Sequence, residues 1–439
     1  MIRKLKAMLA IAFLIGFAII LEACGKGEQP VRRVGESVSF CDKKGGSWFV
    51  IDNKDQLWGW GSNKNGQLGL DRSLEKVEAP MLLMNDVASV VYDTWTESEE
   101  YYALKTNGEV WRWGNIRGIG ANRTKLDKPE HFMDDVISIQ VYVDSWFAIK
   151  KDNSLWAWGL NDYHQLGTGE VGSPKREPIR VLDNVKSLYV SGCATFALCK
   201  DASLWAWGVN GYGMTGTGVA KGNVQTPKRV LDDVESVTVG YDCVFAIQND
   251  GDLYAWGSNE YGQLGDGTTT DKARPHRIMD SVKSVVLGSG AYYTTDIVFA
   301  IKKDNTLYRW GSENVSTPEK IQSEIDSITS ISDDTCYTLT KKMDKSLWFS
   351  SDEGEKKLLN DVNQYGLLGF GAAYALSNSG KLFAYWDWNE DGIEIADDVA
   401  YVGVISSTDE LYAIMNNGSL WLFSEKKTEK KLFDGVRLP

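Results

Sequence analysis

The chain has 439 residues, 43% of them hydrophobic and 11% aromatic, with a formal net charge of −13. That length can bury a large core. So acidic a body is repelled by phosphate backbones, which sets nucleic acid aside as an expected partner.

Residues 1–24 stand apart from the rest. Arg3, Lys4 and Lys6 form a basic start, Ala7 to Leu21 is an apolar run of 15 residues, and Leu21-Glu22-Ala23-Cys24 follows. So short a run suits the central region of a signal peptide better than a spanning helix. The segment resembles the lipobox of bacterial lipoproteins, although Glu22 stands where that pattern has a small residue. The resemblance implies cleavage before Cys24 and a diacylglycerol anchor on it. An uncleaved membrane anchor is the alternative, and both place the body outside the cytoplasm. Residues 1–23 carry three basic side chains and one acid, so their removal takes the charge to about −15. Residues 25–35 are a polar tether. Cys41, Cys193, Cys199, Cys243 and Cys336 are an odd set without close pair spacing. Buried thiols are therefore expected rather than a disulfide framework, with a Cys193–Cys199 bridge across a hairpin as the alternative.

From residue 36 to 439 one unit repeats without linkers. Its first strand is expected to begin at Val38, Val87, Val136, Val185, Val234, Val282, Ile325, Val362 and Val399, with Val436 opening a truncated tenth copy. The spacing is 49 residues at first and contracts to 37, a period that signals a propeller or another repeat architecture. In the second strand a small or β-branched residue precedes the third-strand anchor by seven, as in Ala148 to Leu155 and Ala246 to Leu253. The seventh unit, taken from Thr338 to Leu347, adds two. Asn107-Gly108, Asp250-Gly251, Ser379-Gly380 and Asn417-Gly418 close tight hairpins between those strands. The third strand is aromatic, as in Leu155-Trp156-Ala157-Trp158-Gly159. A longer loop and a fourth strand complete each unit. The prediction is an all-β chain, a single β-propeller of nine four-stranded blades.

Gly240-Tyr241-Asp242-Cys243-Val244-Phe245-Ala246-Ile247, followed by Leu253-Tyr254-Ala255-Trp256-Gly257-Ser258-Asn259-Glu260-Tyr261-Gly262-Gln263-Leu264-Gly265, resembles the repeat of the regulator of chromosome condensation family. Cys243 stands where that family has histidine. The likeness is strong over the first five units and weaker afterwards, where the Gly-Gln-Leu-Gly loop is lost. Rings of that family usually hold seven blades, so nine units imply a larger ring or an irregular closure. Closure is expected to pair Gly435 to Leu438 with the first blade, which would cover bare strand edges. The resemblance implies a protein-binding role. Eukaryotic members exchange nucleotide on a small GTPase, and secreted bacterial members cap β-lactamases with loop aromatics and acids. The second precedent fits an exported lipoprotein.

His131, His164 and His276 lie in different units without metal-ligand spacing, and no nucleophile sits in a catalytic context. Asp387, Asn389 and Asp391, with Gly392 and Asp398, space oxygens like a calcium loop. A solvated acidic turn is the alternative there. The turn between first and second strands lengthens in the second and sixth units, adding Asp93, Trp95, Glu97, Glu99, Glu100 and Tyr101 in one and Tyr292, Tyr293 and Asp296 in the other. Trp146 and Tyr241 fall in equivalent turns. All these turns leave the ring on one end, where aromatics among acids would anchor an interface. The alternative is that some rings fold inward. A non-catalytic, surface-anchored lipoprotein is therefore expected, monomeric and without cofactors. It would bind an unidentified extracellular protein through Trp95, Glu97, Glu99, Tyr101, Trp146, Tyr241, Tyr292, Tyr293 and Asp296. A carbohydrate or cell-wall polymer is the alternative ligand. An enzyme would rest on Asp93 and the Glu99-Glu100 pair alone.

Overall fold

The computed structural model describes residues 38–41, 46–93, 99–117, 123–172, 175–288, 297–311, 315–332, 336–351, 354–368, 372–386, 391–405, 410–424 and 429–438. Among them, strands form nine four-stranded antiparallel sheets, each with its strands in chain order. Each sheet is one blade, so the nine expected units become nine blades: 38–84, 87–133, 136–182, 185–231, 234–279, 282–322, 325–359, 362–396 and 399–433. The described helical content is one turn, Gly211–Gly213.

Each blade is covered by a neighbour on both faces. A second strand such as Ala194–Cys199 is therefore buried along its whole length, while the outermost fourth strand, such as Lys175–Leu182, has no fully buried residue. The apolar core is divided into nine clusters, each spanning one pair of adjacent blades. One of the nine joins the ninth blade to the first through Val50, Ile414, Leu420 and Val436. The ring is closed.

The Asn-x-x-Gly-Gln-Leu-Gly loop gains a physical meaning from these seams. The indole of Trp310 donates Nε1–H to the carbonyl of Gln263 in the preceding blade at 2.9 Å. Trp207 does the same to Gln165 at 2.9 Å, Trp256 to Met214 at 2.8 Å and Trp113 to Gln67 at 2.7 Å. The last glycine of the loop lies flat against that same ring. A Cβ on Gly265, at φ +77°, would stand 2.7 Å from Trp310 Nε1. Blade 2 replaces the loop with a longer hairpin, Val110–Arg117 with Arg123–Met133, and there Trp158 Nε1 donates instead to the Tyr102 hydroxyl at 3.1 Å.

Two details of register differ from the sequence expectation. In the seventh blade Thr340, not Thr338, opposes Trp348 as Ala148 opposes Trp156. Thr340 lies seven residues before Leu347, so that blade keeps the common spacing; a buried threonine simply fills the place usually held by alanine. The second difference is at the closure. Val38 pairs with Val50, the place that Ile139 occupies opposite Ala148, three residues further into the strand than Val136. The position of Val136 in blade 1 is filled from the other end of the chain. Val436 bridges Asp52, Asn53 N–H donates to the Gly435 carbonyl at 2.9 Å, and Arg437 N–H to the Ile51 carbonyl at 3.2 Å. The terminal segment pairs with the first blade as expected, but it completes that blade's innermost strand and does not open a tenth unit. Arg437 then reaches Asp55 at 2.6 Å and the Ala88 carbonyl at 2.8 Å.

Candidate partner-binding face

In a blade whose strands run up, down, up, down, the first turn and the third-to-fourth loop leave on the same end of the ring. On that end the structure redistributes the expected binding residues. Trp95, Glu97, Tyr292, Tyr293 and Asp296 lie outside the described residues, as do Cys24 and the tether. Tyr101 and Trp146 were expected on exposed turns and are core residues: each belongs to a second strand, where both faces are covered. Tyr101 stacks on Trp113 with centroids 5.8 Å apart, and Trp146 lies 4.2 Å from Tyr102. Their side chains fold inward between blades, not out to solvent.

The acids of that turn are also internal. Glu99 accepts from Asn65 Nδ2 in blade 1 and from Asn115 Nδ2 in its own blade, both at 2.7 Å. Asp93 accepts the Asp144 backbone N–H at 3.0 Å, and Glu100 accepts the Tyr102 hydroxyl at 3.2 Å. Asp93, Glu99, Glu100 and Asp144 are all buried. Tyr241 is half-buried, and desolvation followed by the nearby Asp242 carboxylate raises its hydroxyl above the ordinary tyrosine range.

What the end of the ring does expose is a set outside the residues expected from the sequence. Tyr163, Tyr212 and Tyr261 are 51%, 53% and 41% exposed and occupy the same loop position in blades 3, 4 and 5. Leu74, Val171 and Val219 are exposed on the same class of loop. The loops are held from beneath. The buried Asn161 accepts Leu166 N–H at 2.9 Å and donates to the Glu170 carbonyl at 2.5 Å. Asn210 accepts Thr215 N–H at 3.0 Å, and Asn259 accepts Leu264 N–H at 2.9 Å. The Gln165 and Gln263 side-chain oxygens accept the backbone N–H of Tyr163 and Tyr261, each at 2.9 Å. Tyr212 sits at φ 55° between two glycines. Rigid loops presenting tyrosines give large contact area at small entropic cost. The signal was present in the sequence as an aromatic two residues after Asn161, Asn210 and Asn259, recurring in three adjacent units.

Of the calcium candidates, Asp387 and Asn389 lie outside the described residues. Asp391 is fully exposed and 3.4 Å from Lys356, while Asp398 accepts from Asn416 Nδ2 at 2.8 Å. Among the described residues no three His, Cys, Asp or Glu side chains converge as a metal site. Cys193, Cys199 and Cys243 are free thiols. Burial, then the charge of Asp162, pushes Cys193 up to about 11.

Ring and face together define a closed nine-bladed propeller with a preorganised aromatic end. The repeat described as "Regulator of chromosome condensation (RCC1) repeat" matches residues 54–92, 152–199 and 250–295, and a second description of that repeat matches 234–263. The chain is thus a propeller that contains repeats of this type. It is similar to the E3 ubiquitin-protein ligase HERC2 of Mus musculus, 30% identical over 129 residues, covering 27% of this chain and 3% of HERC2. It is similar also to Protein RCC1 of Candida albicans, 22% identical over 157 residues, covering 30% of this chain and 34% of that one. Prp20p from Saccharomyces cerevisiae, a solved structure described with its binding to Gsp1p and histones, superposes with a TM-score of 0.43 at 22% identity, over 64% of this chain and 77% of that chain.

Proposed function

We propose that this chain is a non-catalytic propeller lipoprotein, anchored through Cys24 on the outside of the cytoplasmic membrane, that binds a protein partner with the loop-bearing end of its ring. The observation that carries the reading is the arc of Tyr163, Tyr212 and Tyr261, exposed on loops each clamped by a buried Asn and, in blades 3 and 5, also by a buried Gln. Tyrosines so held are typical anchors of protein interfaces. Tyr241 lies in a described turn on that end, and the proposed surface also includes Trp95, Glu97, Tyr292, Tyr293 and Asp296, which the sequence reading assigns to equivalent turns. The buried acids of the second blade are engaged in hydrogen bonds that tie strands and blades together, which favours a structural role for them over catalysis. The likeness to a ubiquitin ligase covers 3% of that protein, so no ligase chemistry is carried over.

The test is crosslinking on intact cells followed by mass spectrometry, comparing the native chain with the Tyr163→Ala/Tyr212→Ala/Tyr261→Ala variant. These exposed substitutions should each change stability by no more than about 0.5 kcal/mol, while the crosslinked protein disappears. An unchanged set of captured proteins would remove the tyrosine arc as the site. Capture of glycan that survives protease treatment of the target would favour the carbohydrate reading. Loss of fatty-acid label in Cys24→Ala would test the anchor separately.

A further inference from the structure

Between blades 4 and 5, on the loop-bearing end, lies a cavity of about 80 Å³ whose lining includes Tyr212, Tyr241, Asp242, Ser258, Glu260 and Tyr261. Among the described residues its lining holds two carboxylates and no Lys, Arg or His. Among the described residues the Asp242 carboxylate has neither a hydrogen bond nor an ion pair. Burial, with Asp271 as the second cause, pushes it up to about 6. An unpaired, partly desolvated carboxylate between tyrosine rings attracts a cation through both its charge and the ring quadrupoles. The volume is well below the several hundred Å³ of a typical small-molecule pocket. It matches the head of one side chain rather than a free metabolite.

The neighbouring junction shows what is particular here. Cys193 holds the backbone place of Asp242: its carbonyl accepts Val209 N–H at 3.0 Å as that of Asp242 accepts Ser258 N–H at 2.9 Å. The pair Gly192-Cys193 therefore stands where blade 5 has Tyr241-Asp242. At the junction of blades 3 and 4 this place carries no carboxylate of its own, and Gly192 N–H instead donates to the Tyr142 hydroxyl at 3.0 Å.

We infer that the cavity between blades 4 and 5 receives a basic side chain, lysine or arginine, projecting from the partner that docks on this end of the ring. The inference rests on the reading of that end as a docking face, and it names what the partner inserts there. The ammonium or guanidinium would sit against Asp242 and Glu260, with the alkyl stem along Tyr212 and Tyr261.

The experiment is saturation-transfer NMR on the full chain with Nα-acetyl-lysine amide and Nα-acetyl-arginine amide, using Nα-acetyl-norleucine amide as the uncharged control. Transfer to at least one cationic probe and none to norleucine is expected, and the stronger of the two tells which residue the site prefers. Asp242→Asn should weaken that binding about tenfold, and so should Tyr212→Ala at an exposed position where folding is not at stake. Met343→Ala, at an exposed position on the seventh blade, should leave it unchanged. Equal transfer to norleucine, or binding unmoved by both Asp242→Asn and Tyr212→Ala, would overturn the assignment. The probes need no partner, so their failure removes this cavity alone, while crosslinking decides the docking face.

Discussion

Val436→Ala tests whether the ring is closed by its last residues. Val436 is 4% exposed and packs with Val50, Ile414 and Leu420 across the junction of blades 9 and 1. Removing its two methyl groups forfeits about 2 kcal/mol of transfer and cavity energy. The loss falls on a local seam, so it should appear first as local opening. The reporter is the Asn53 amide, which donates to the Gly435 carbonyl at 2.9 Å. A 2 kcal/mol loss speeds exchange of an amide that opens with the seam by about 30-fold. Leu438→Ala, at a residue 50% exposed just beyond the seam, should change exchange by less than about threefold. Native-state hydrogen exchange with mass spectrometry on both variants gives the comparison. Asn53 protection unaltered by Val436→Ala would mean that the terminal segment merely rests on blade 1, and the closure argument would fail.

Gly265→Ala should cost about 2–4 kcal/mol in denaturant unfolding, because a positive φ is strained for alanine and the new Cβ displaces the Trp310 indole from its acceptor. Gly267→Ala, also at positive φ but 3.4 Å from its nearest neighbour, should cost only about 1 kcal/mol, and equal costs would discredit the seam as the cause. Asp242→Asn should stabilise the fold at pH 7–8. The folded carboxylate is raised to about 6 above an unfolded value near 4, so ionisation penalises the folded state increasingly between those values. Discounted for partial exposure, the gain is about 1–2 kcal/mol and should vanish at pH 4; a gain that persists there would point to a cause other than charge. The hairpin carboxylates Asp152, Asp201 and Asp344 are lowered first by the hydroxyls of Ser154, Ser203 and Ser346. Their contribution is present above the unfolded carboxylate value and lost as pH falls through the folded ones. The triple Ser→Ala variant should therefore melt lower than the native chain at pH 7, with a difference that narrows as pH falls toward 2 to the part left by the lost Trp156, Trp205 and Trp348 Nε1–H bonds to those hydroxyls; a constant difference across that range would refute the linkage.

The repeat itself was legible in the primary structure because its causes are local. Hairpins closed by Asn107-Gly108 or Asp250-Gly251 and strands of Val, Ile, Trp and Tyr are decided within a few residues of one another, and nine blades appear where nine units were counted. What the neighbouring blade decides was not legible. Tyr101 and Trp146 looked like turn aromatics, yet an adjacent sheet covers the second strands they belong to, so they became core, whereas Tyr163, Tyr212 and Tyr261 stand out on loops held by a buried Asn in each blade and by a Gln in two of them. The pocket beside Asp242 likewise joins a tyrosine of another blade to residues of its own, brought together only in three dimensions. Periodicity could announce Val436 as one more repeat start, but that it serves as the missing start of blade 1, nearly four hundred residues back in the chain, follows from closing the ring. Local chemistry thus determined the units; contacts between units, set by tertiary packing, decided which side chains are buried between blades and which are exposed on the end of the ring.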